Sequence, residues 1–275
     1  MKLVRWGAKG AESPGLVDAQ GTVRDLSHHC ADIGPEMLLP DRLARLARID
    51  PAGLPEVPAG TRLGTPVGGI RNIIGIGLNY RDHAAETGAT LPAEPVVFSK
   101  HVGALAGPFD PLPSPGCAKL DYEVELAVVI GAPAWRVSEA AALSHVAGYM
   151  TANDVSARDW QIERGGQWVK GKSAPGFCPL GPWLVTADEV PDPQVLRLWT
   201  EVNGERRQNG TTADMVFGVA VLVSYLSNFM ALEAGDVILT GTPAGVGMGR
   251  GEFLKPGDRL ELSVDGLGRQ GITVT

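Results

Sequence analysis

The sequence predicts an α+β protein that is mostly β, built on a curved mixed sheet or barrel-like core. Three observations carry this. Strand-like segments outnumber helical ones along the 275 residues. Glycine (36) and proline (21) are abundant, which favours many short elements joined by tight turns over long helices. One stretch, Asp121 to Ile130, is apolar, β-branched in its second half and ended by Gly131, the pattern of a strand set in a sheet. Hydrophobic residues at 44% and charged residues at 20% are those of a soluble globular protein, and the length allows one large domain or one and a half.

Residues 1–66 read as a small N-terminal α+β domain and linker. Lys2–Trp6 and the run from Gly15 to Asp18 are strand-like, and Gly21 sits in a turn before a third strand at Val23 to Leu26. Leu38, Leu39, Leu43 and Leu46 recur near helical spacing, so a helix is expected from Met37 to Arg48. Pro51, Pro55, Pro58 and Pro66 then punctuate a linker. Residues 67–275 read as the main domain. A strand at Asn72 to Ile76 opens it, followed by a turn into a short helix over residues 77–86 and a strand at Val96 to Ser99. Ser138 is placed to cap a helix reaching about His145. Strand-like residues 148–155 follow. Asp214 is placed to cap a second helix that buries Val216, Val219, Val223 and Leu226. Asp236 to Thr240 and Arg259 to Val264 are strands, with a turn at residues 254–258 before the last.

The net charge of −7 argues against a nucleic-acid surface. Cys30, Cys117 and Cys178 are odd in number and widely spaced, which is neither a disulfide framework nor a zinc pattern. The first residues lack an apolar signal core, and the longest apolar run is too short to span a bilayer. A cytoplasmic location is the expectation.

Side chains alternate across a strand, so Glu123 and Glu125 share a face, about 7 Å apart at Cα. Taken alone, an E-x-E pattern is more often two surface glutamates. Here the same face continues into Ala127 and Val129, which are apolar, and Asp154 supplies a third carboxylate from another strand-like run. Like charges leading into a buried strand repel and are poorly solvated, and a hard divalent cation such as Mg²⁺ is the simplest compensation. Residues 166–173 match the phosphate-loop pattern G-x-x-x-x-G-K-S, yet no strand precedes them and Pro175 follows, so nucleotide binding is not expected. Gly245, Gly247 and Gly249 are read as a tight turn. His83 and Glu86 lie three apart and share a face if helical, where Glu86 would orient the imidazole.

In combination, GLNYRDHAAE (77–86), KLDYEVELAVVIG (119–131), GYMTANDVSARDWQ (148–161), QWVKGKS (167–173) and LEAGDVILTGTPAGVG (232–247) resemble the fumarylacetoacetate hydrolase family, in its small bacterial, acylpyruvase-like branch. The resemblance implies a mixed β-sandwich roll, usually dimeric, with a short N-terminal domain. It implies that Glu123, Glu125 and Asp154 hold Mg²⁺ (or Mn²⁺ or Ca²⁺). It implies that His83 and Glu86 form a catalytic dyad on a segment that orders as a lid, and that Lys172 stabilises developing negative charge. Arg158 and Gln161 fall at substrate-contacting positions, and Gly241 with Thr242 at a backbone-and-hydroxyl substrate contact. Two departures sit near the expected pocket. Lys100 is followed by His101 where relatives often have Pro, and Ala174 and Pro175 follow Gly-Lys-Ser where many carry Asp.

The expected activity is that of a Mg²⁺-dependent hydrolase cleaving a C–C bond in a small 2,4-dioxo acid, to give pyruvate and a second acid. The same enolate chemistry also serves a lyase, decarboxylase or isomerase of the ureidoglycolate or oxaloacetate type. A non-catalytic metal-binding member is the alternative of another class.

Overall fold

The computed structural model describes residues 1–275. Nine strands form one sheet. Across it they run Val23–Asp25, Ser13–Val17, Lys2–Trp6, Leu184–Thr186, Val146–Asn153, Val124–Ile130, Val237–Leu239, Ile73–Gly77 and Val96–Lys100. Val237–Leu239 and Ile73–Gly77 pair parallel and the other neighbours antiparallel, so the sheet is mixed, as predicted. It ends on two edge strands and does not close into a barrel. The strands of the first 25 residues are part of this sheet, joined to it by the pairing of Leu3 with Leu184.

A second, four-stranded antiparallel sheet runs Glu205–Thr211, Arg197–Val202, Arg259–Val264 and Arg269–Thr273. Its two central strands alternate: Leu198, Thr200, Val202, Leu260, Leu262 and Val264 are buried, and the residues between them are not. That face packs on Val124–Ile130 and Val146–Asn153. Those two strands are covered on both sides and buried at every residue, which is why their sequences are nearly continuous in apolar and small side chains.

One buried amide joins the two sheets. Gln208, on the outer strand of the smaller sheet, accepts from Val124 N (3.0 Å) and Thr200 Oγ1 (2.9 Å). Its Nε2 donates to Thr242 Oγ1 (2.7 Å) and to the Pro243 carbonyl (2.9 Å). The contact fixes the start of the glutamate-bearing strand against the loop after Val237–Leu239.

Three sequence expectations are corrected. The first helix spans only Pro40–Leu46, because Pro40 is favoured at a first helical turn and Gly34 to Leu39 turn separately in front of it. Asp214 does not cap the helix Val219–Ser227; it accepts from Asp82 N instead (3.1 Å). The helix begins after Gly218, and the remote Gln194 Oε1 accepts from Val219 N (2.7 Å), an arrangement that local spacing does not reveal. Ser138 stands at the head of its helix without a side-chain capping bond, and the helix is a single turn, Glu139–Ala142, that tightens into Leu143–His145.

Gln208→Leu keeps the volume and leaves the Val124 N–H and the Pro243 carbonyl without partners. About 2–4 kcal/mol of stability should be lost, read as a lower urea midpoint at unchanged slope. A loss under about 0.5 kcal/mol would show that water replaces the amide.

Candidate active site

The site is built at the end of the ladder between the two neighbouring central strands of the large sheet. Val124 pairs with Asn153, so Glu123 and Asp154 fall just beyond the ladder, opposite each other. Glu123 N donates to Asn153 Oδ1 (3.0 Å), and Asp154 N donates to the Glu123 carbonyl (2.9 Å). Glu125 follows one pleat later, on the same side as Glu123. One carboxylate oxygen from each of Glu123, Glu125 and Asp154 lies within 4.8 Å of the others, and all three side chains are buried.

Three cations are buried with them. Lys172 Nζ bridges Glu123 Oε2 (2.6 Å) and Asp154 Oδ2 (2.7 Å). Lys100 Nζ donates to Asp154 Oδ1 and to the Val155 carbonyl (3.1 Å). Arg158 reaches Glu123 Oε1 through Nη2 (2.6 Å), Asp121 Oδ2 through Nε (2.8 Å) and Gln161 Oε1 through Nη1 (3.1 Å). Four carboxylates, counting Asp121, thus face three cations. Burial pushes the Glu123 carboxyl up, but the Arg158 and Lys172 charges outweigh it and hold Glu123 well below the usual carboxylate range. Glu125 has no cation in hydrogen-bond contact, only Gly241 N (2.7 Å). Burial, then the charges of Asp154 and Glu123, push its carboxyl well above the usual range. An all-oxygen donor set with an uncompensated carboxylate fits a hard divalent cation.

The helix Arg81–Thr87 lies over this cluster. His83 is buried, and its Nδ1 is 3.3 Å from Glu86 Oε2, as the i, i+3 spacing predicted. Glu86 Oε1 accepts from Gly245 N (2.9 Å), which ties the helix to the loop after Val237–Leu239. The turn into the helix is anchored by Asn79, whose amide bonds the Thr240 carbonyl and both backbone groups of Phe217. Leu78, just before it, has φ 53°, a left-handed conformation unusual for leucine, beside the cavity. Gly241 has φ 95°, and a side chain there would sit 2.8 Å from the Asn79 Cβ. Only glycine lets its N–H face Glu125. Thr242 lines the cavity; its hydroxyl donates to the Val124 carbonyl (2.8 Å).

A cavity of about 220 Å³ brings together His83, Glu123, Glu125, Asp154, Arg158, Gln161, Lys172 and Thr242. Glu86 stands behind His83 and Gly241 behind Glu125. The phosphate-loop-like run is a single helical turn, Val169–Lys172, after the helix Arg158–Ile162, with its lysine held by carboxylates. The turn expected at Gly245 to Gly249 contains one turn of helix, Gly247–Arg250.

Sequence reasoning misses two charged partners. Lys100 carries no role in it, though a lysine closing an edge strand of apolar residues is a usable signal. Asp121 is wholly buried and accepts from Gly247 N (2.6 Å), Met248 N (3.0 Å) and Arg158. It links the loop that holds Glu86 to the cation that holds Glu123.

Fold and site together define a two-sheet enzyme scaffold with a carboxylate centre under a histidine-bearing helix. Residues 72–275 match the family model of the fumarylacetoacetate (FAA) hydrolase C-terminal domain. A Burkholderia multivorans protein carrying the provisional name of a hydrolase is 56% identical over 274 residues, covering 98% of this chain and 97% of its own. The chain therefore belongs to the fumarylacetoacetate hydrolase family. Among solved structures it is similar to a fumarylacetoacetate hydrolase of Exiguobacterium antarcticum, 37% identical with TM-score 0.89 over 100% of this chain and 99% of that one. It is also similar to a 2-hydroxyhepta-2,4-diene-1,7-dioate isomerase of Mycobacterium marinum, 33% identical with TM-score 0.80 over 100% and 98%. A maleylpyruvate hydrolase of Sphingobium sp. SYK-6, in complex with manganese(II) and pyruvate, is 29% identical with TM-score 0.82 over 100% and 99%. No helix of the chain is long and apolar enough to cross a membrane.

Glu125→Gln keeps an oxygen for Gly241 N and removes a carboxyl crowded by two others. A raised carboxyl contributes stability that is present at low pH and lost as pH rises. In metal-free protein the variant should therefore melt higher than wild type, by about 2–4 °C near neutrality, or roughly 1 kcal/mol in a chain of this size. The gap should shrink as pH falls into the ordinary carboxylate range. An unchanged or lower melting point at pH 7–8 would show that Glu125 is already compensated.

Proposed function

We propose that this protein is a divalent-metal-dependent hydrolase that cleaves the C–C bond of a small 2,4-dioxo acid, of acylpyruvate or diketo-deoxy sugar acid type, to pyruvate and a second acid. One observation carries the reading: a three-carboxylate centre, a carboxylate-oriented histidine and a buried lysine share one small cavity.

Glu123, Glu125 and Asp154 would hold the cation, Mg²⁺ with Mn²⁺ or Ca²⁺ as alternatives. When bound, it would supply Lewis-acid polarisation at the 2-oxo acid end of the substrate. Glu86 accepts from the His83 Nδ1–H, which leaves Nε2 free to take a proton from water. That water attacks the 4-carbonyl. The C3–C4 bond breaks, its electron pair stays with the pyruvate fragment as the enolate, and a proton returns to C3. Lys172, cationic and 2 % exposed, faces the end where that negative charge develops. By the family resemblance Arg158, Gln161, Gly241 and Thr242 would contact the substrate; Arg158, Gln161 and Thr242 line the cavity, and Gly241 stands behind Glu125. The fold similarity to an isomerase favours a second reading, proton transfer or lyase and decarboxylase chemistry at the same centre without water attack. By the family resemblance we also propose a cytoplasmic homodimer, with a boundary near residue 66 between the N-terminal unit and the catalytic domain.

With Mg²⁺ present the protein should turn over acylpyruvates, and EDTA should abolish turnover. His83→Ala should leave metal affinity by calorimetry unchanged and reduce kcat for hydrolysis by roughly 10²–10⁴-fold. Decarboxylation of oxaloacetate, which uses no attacking water, should fall less. Equal losses in both reactions would remove His83 from the role of water activator and favour the second reading.

A further inference from the structure

The cavity has two chemically distinct ends. All of its charged lining side chains gather at the acidic centre and the His83 helix. Apart from Thr87, Gln161 and Thr242, the rest of the wall is without polar side chains, chiefly Ile76, Leu78, Phe98, Ile162, Trp168 and Met248. The order from one end to the other is fixed by contacts. Lys172 Nζ, held on Glu123 and Asp154, lies 5.0 Å from the centroid of Phe98. The Phe98 and Trp168 rings stand 5.4 Å apart, tilted at 57°. Trp168 is half-buried and Ile162 is 53% exposed, so the aromatic slot leads from the buried centre to the cavity mouth.

The slot is made by the backbone beneath it. A Cβ on Gly75 would lie 2.2 Å from Phe98, and a Cβ on Gly77 would lie 2.5 Å from Trp168. Two glycines on Ile73–Gly77 thus let both rings lie against the strand, and the side chains are packed before any ligand arrives. No cation waits at this end. Arg164 is set over Trp160 (5.3 Å), and Lys170 Nζ donates to the Arg164 carbonyl (2.9 Å).

We infer that the substrate's end remote from the 2-oxo acid is an uncharged aliphatic or aryl acyl group lying on Phe98 and Trp168, and that Trp168 sets this specificity. The inference rests on the hydrolase reading above and narrows it to acylpyruvates with apolar tails, excluding those that end in a second carboxylate. A second carboxylate lying against Phe98 and Trp168 would be desolvated with no cation to pair with, a far larger penalty than the gain from one more methylene. The size agrees. An apolar cavity of about 150 Å³ holds benzene, so this volume suits about nine non-hydrogen atoms, those of an acetyl-tailed acylpyruvate, with longer tails reaching the mouth along Trp168.

The test is kinetic, with the Mg²⁺-loaded full chain. Acylpyruvates with acetyl, butanoyl and hexanoyl tails are compared with one of butanoyl length ending in a carboxylate. The uncharged tail should win by at least about 10²-fold in kcat/KM. Trp168→Ala should cost more as the tail grows, from about 3-fold for acetyl to about 30-fold for hexanoyl, and Trp168→Phe should restore most of it. Preference for the carboxylate tail, or a Trp168→Ala loss independent of tail length, overturns the inference. If no dioxo acid is cleaved, the hydrolase reading fails, and binding decides the tail separately. Calorimetry should then show 2-oxohexanoate binding about 10-fold tighter than 2-oxoadipate, and equal affinity, the reverse order or no binding of either overturns it.

Discussion

The structure depends on a buried ladder of alternating charge: Asp121, Arg158, Glu123, Lys172, Asp154 and Lys100 in series. Isolated, each of these groups would be expelled from the interior by its desolvation penalty. Paired, they stay, and they hold the ends of two central strands at a fixed separation. The ladder leaves Glu125 outside it. That carboxyl is held between Gly241 N and two neighbours of its own sign, so its ionised form lacks a cationic partner at the place where a cation fits.

The elements around the ladder follow from it. The loop after Val237–Leu239 supplies Gly241 to Glu125, Thr242 to Gln208 and Gly245 to Glu86, while Gly247 and Met248 close on Asp121. One loop therefore touches the acidic centre, the second sheet and the histidine helix. A shift at any of these contacts would be felt at the others, because the backbone between them is short and buried. The apolar half of the cavity is set independently, by Phe98 and Trp168 lying on a glycine strand. Binding of the acid end and of the tail are thus assigned to different parts of the fold.

Several features are legible in the order of the residues alone. The alternation of Glu123 and Glu125, the helical spacing of His83 and Glu86, and the lack of a strand ahead of Gly166 are local, and local geometry confirms them. Where expectation and structure part, the reason is long-range. Asp214 has the chemistry of a cap, but the sheet topology brings Gln194 to the helix Val219–Ser227 instead. The helix beginning at Pro40 is shorter than its leucine spacing suggests, because spacing does not register where the chain has already turned.

The sequence by itself determined the mostly β character and the carboxylate and histidine candidates, since these rest on side-chain type and near-neighbour spacing, and the family and the Lys172 candidate through the resemblance of its motifs. Only the tertiary structure decided that Lys172 pairs with Glu123 and Asp154, that Lys100 and Asp121 belong to the same ladder, and that Trp168 faces Gly77. Each of those contacts joins residues at least 18 positions apart. Their partners are chosen by strand order and register, which the burial of the whole core selects and no short window of sequence contains.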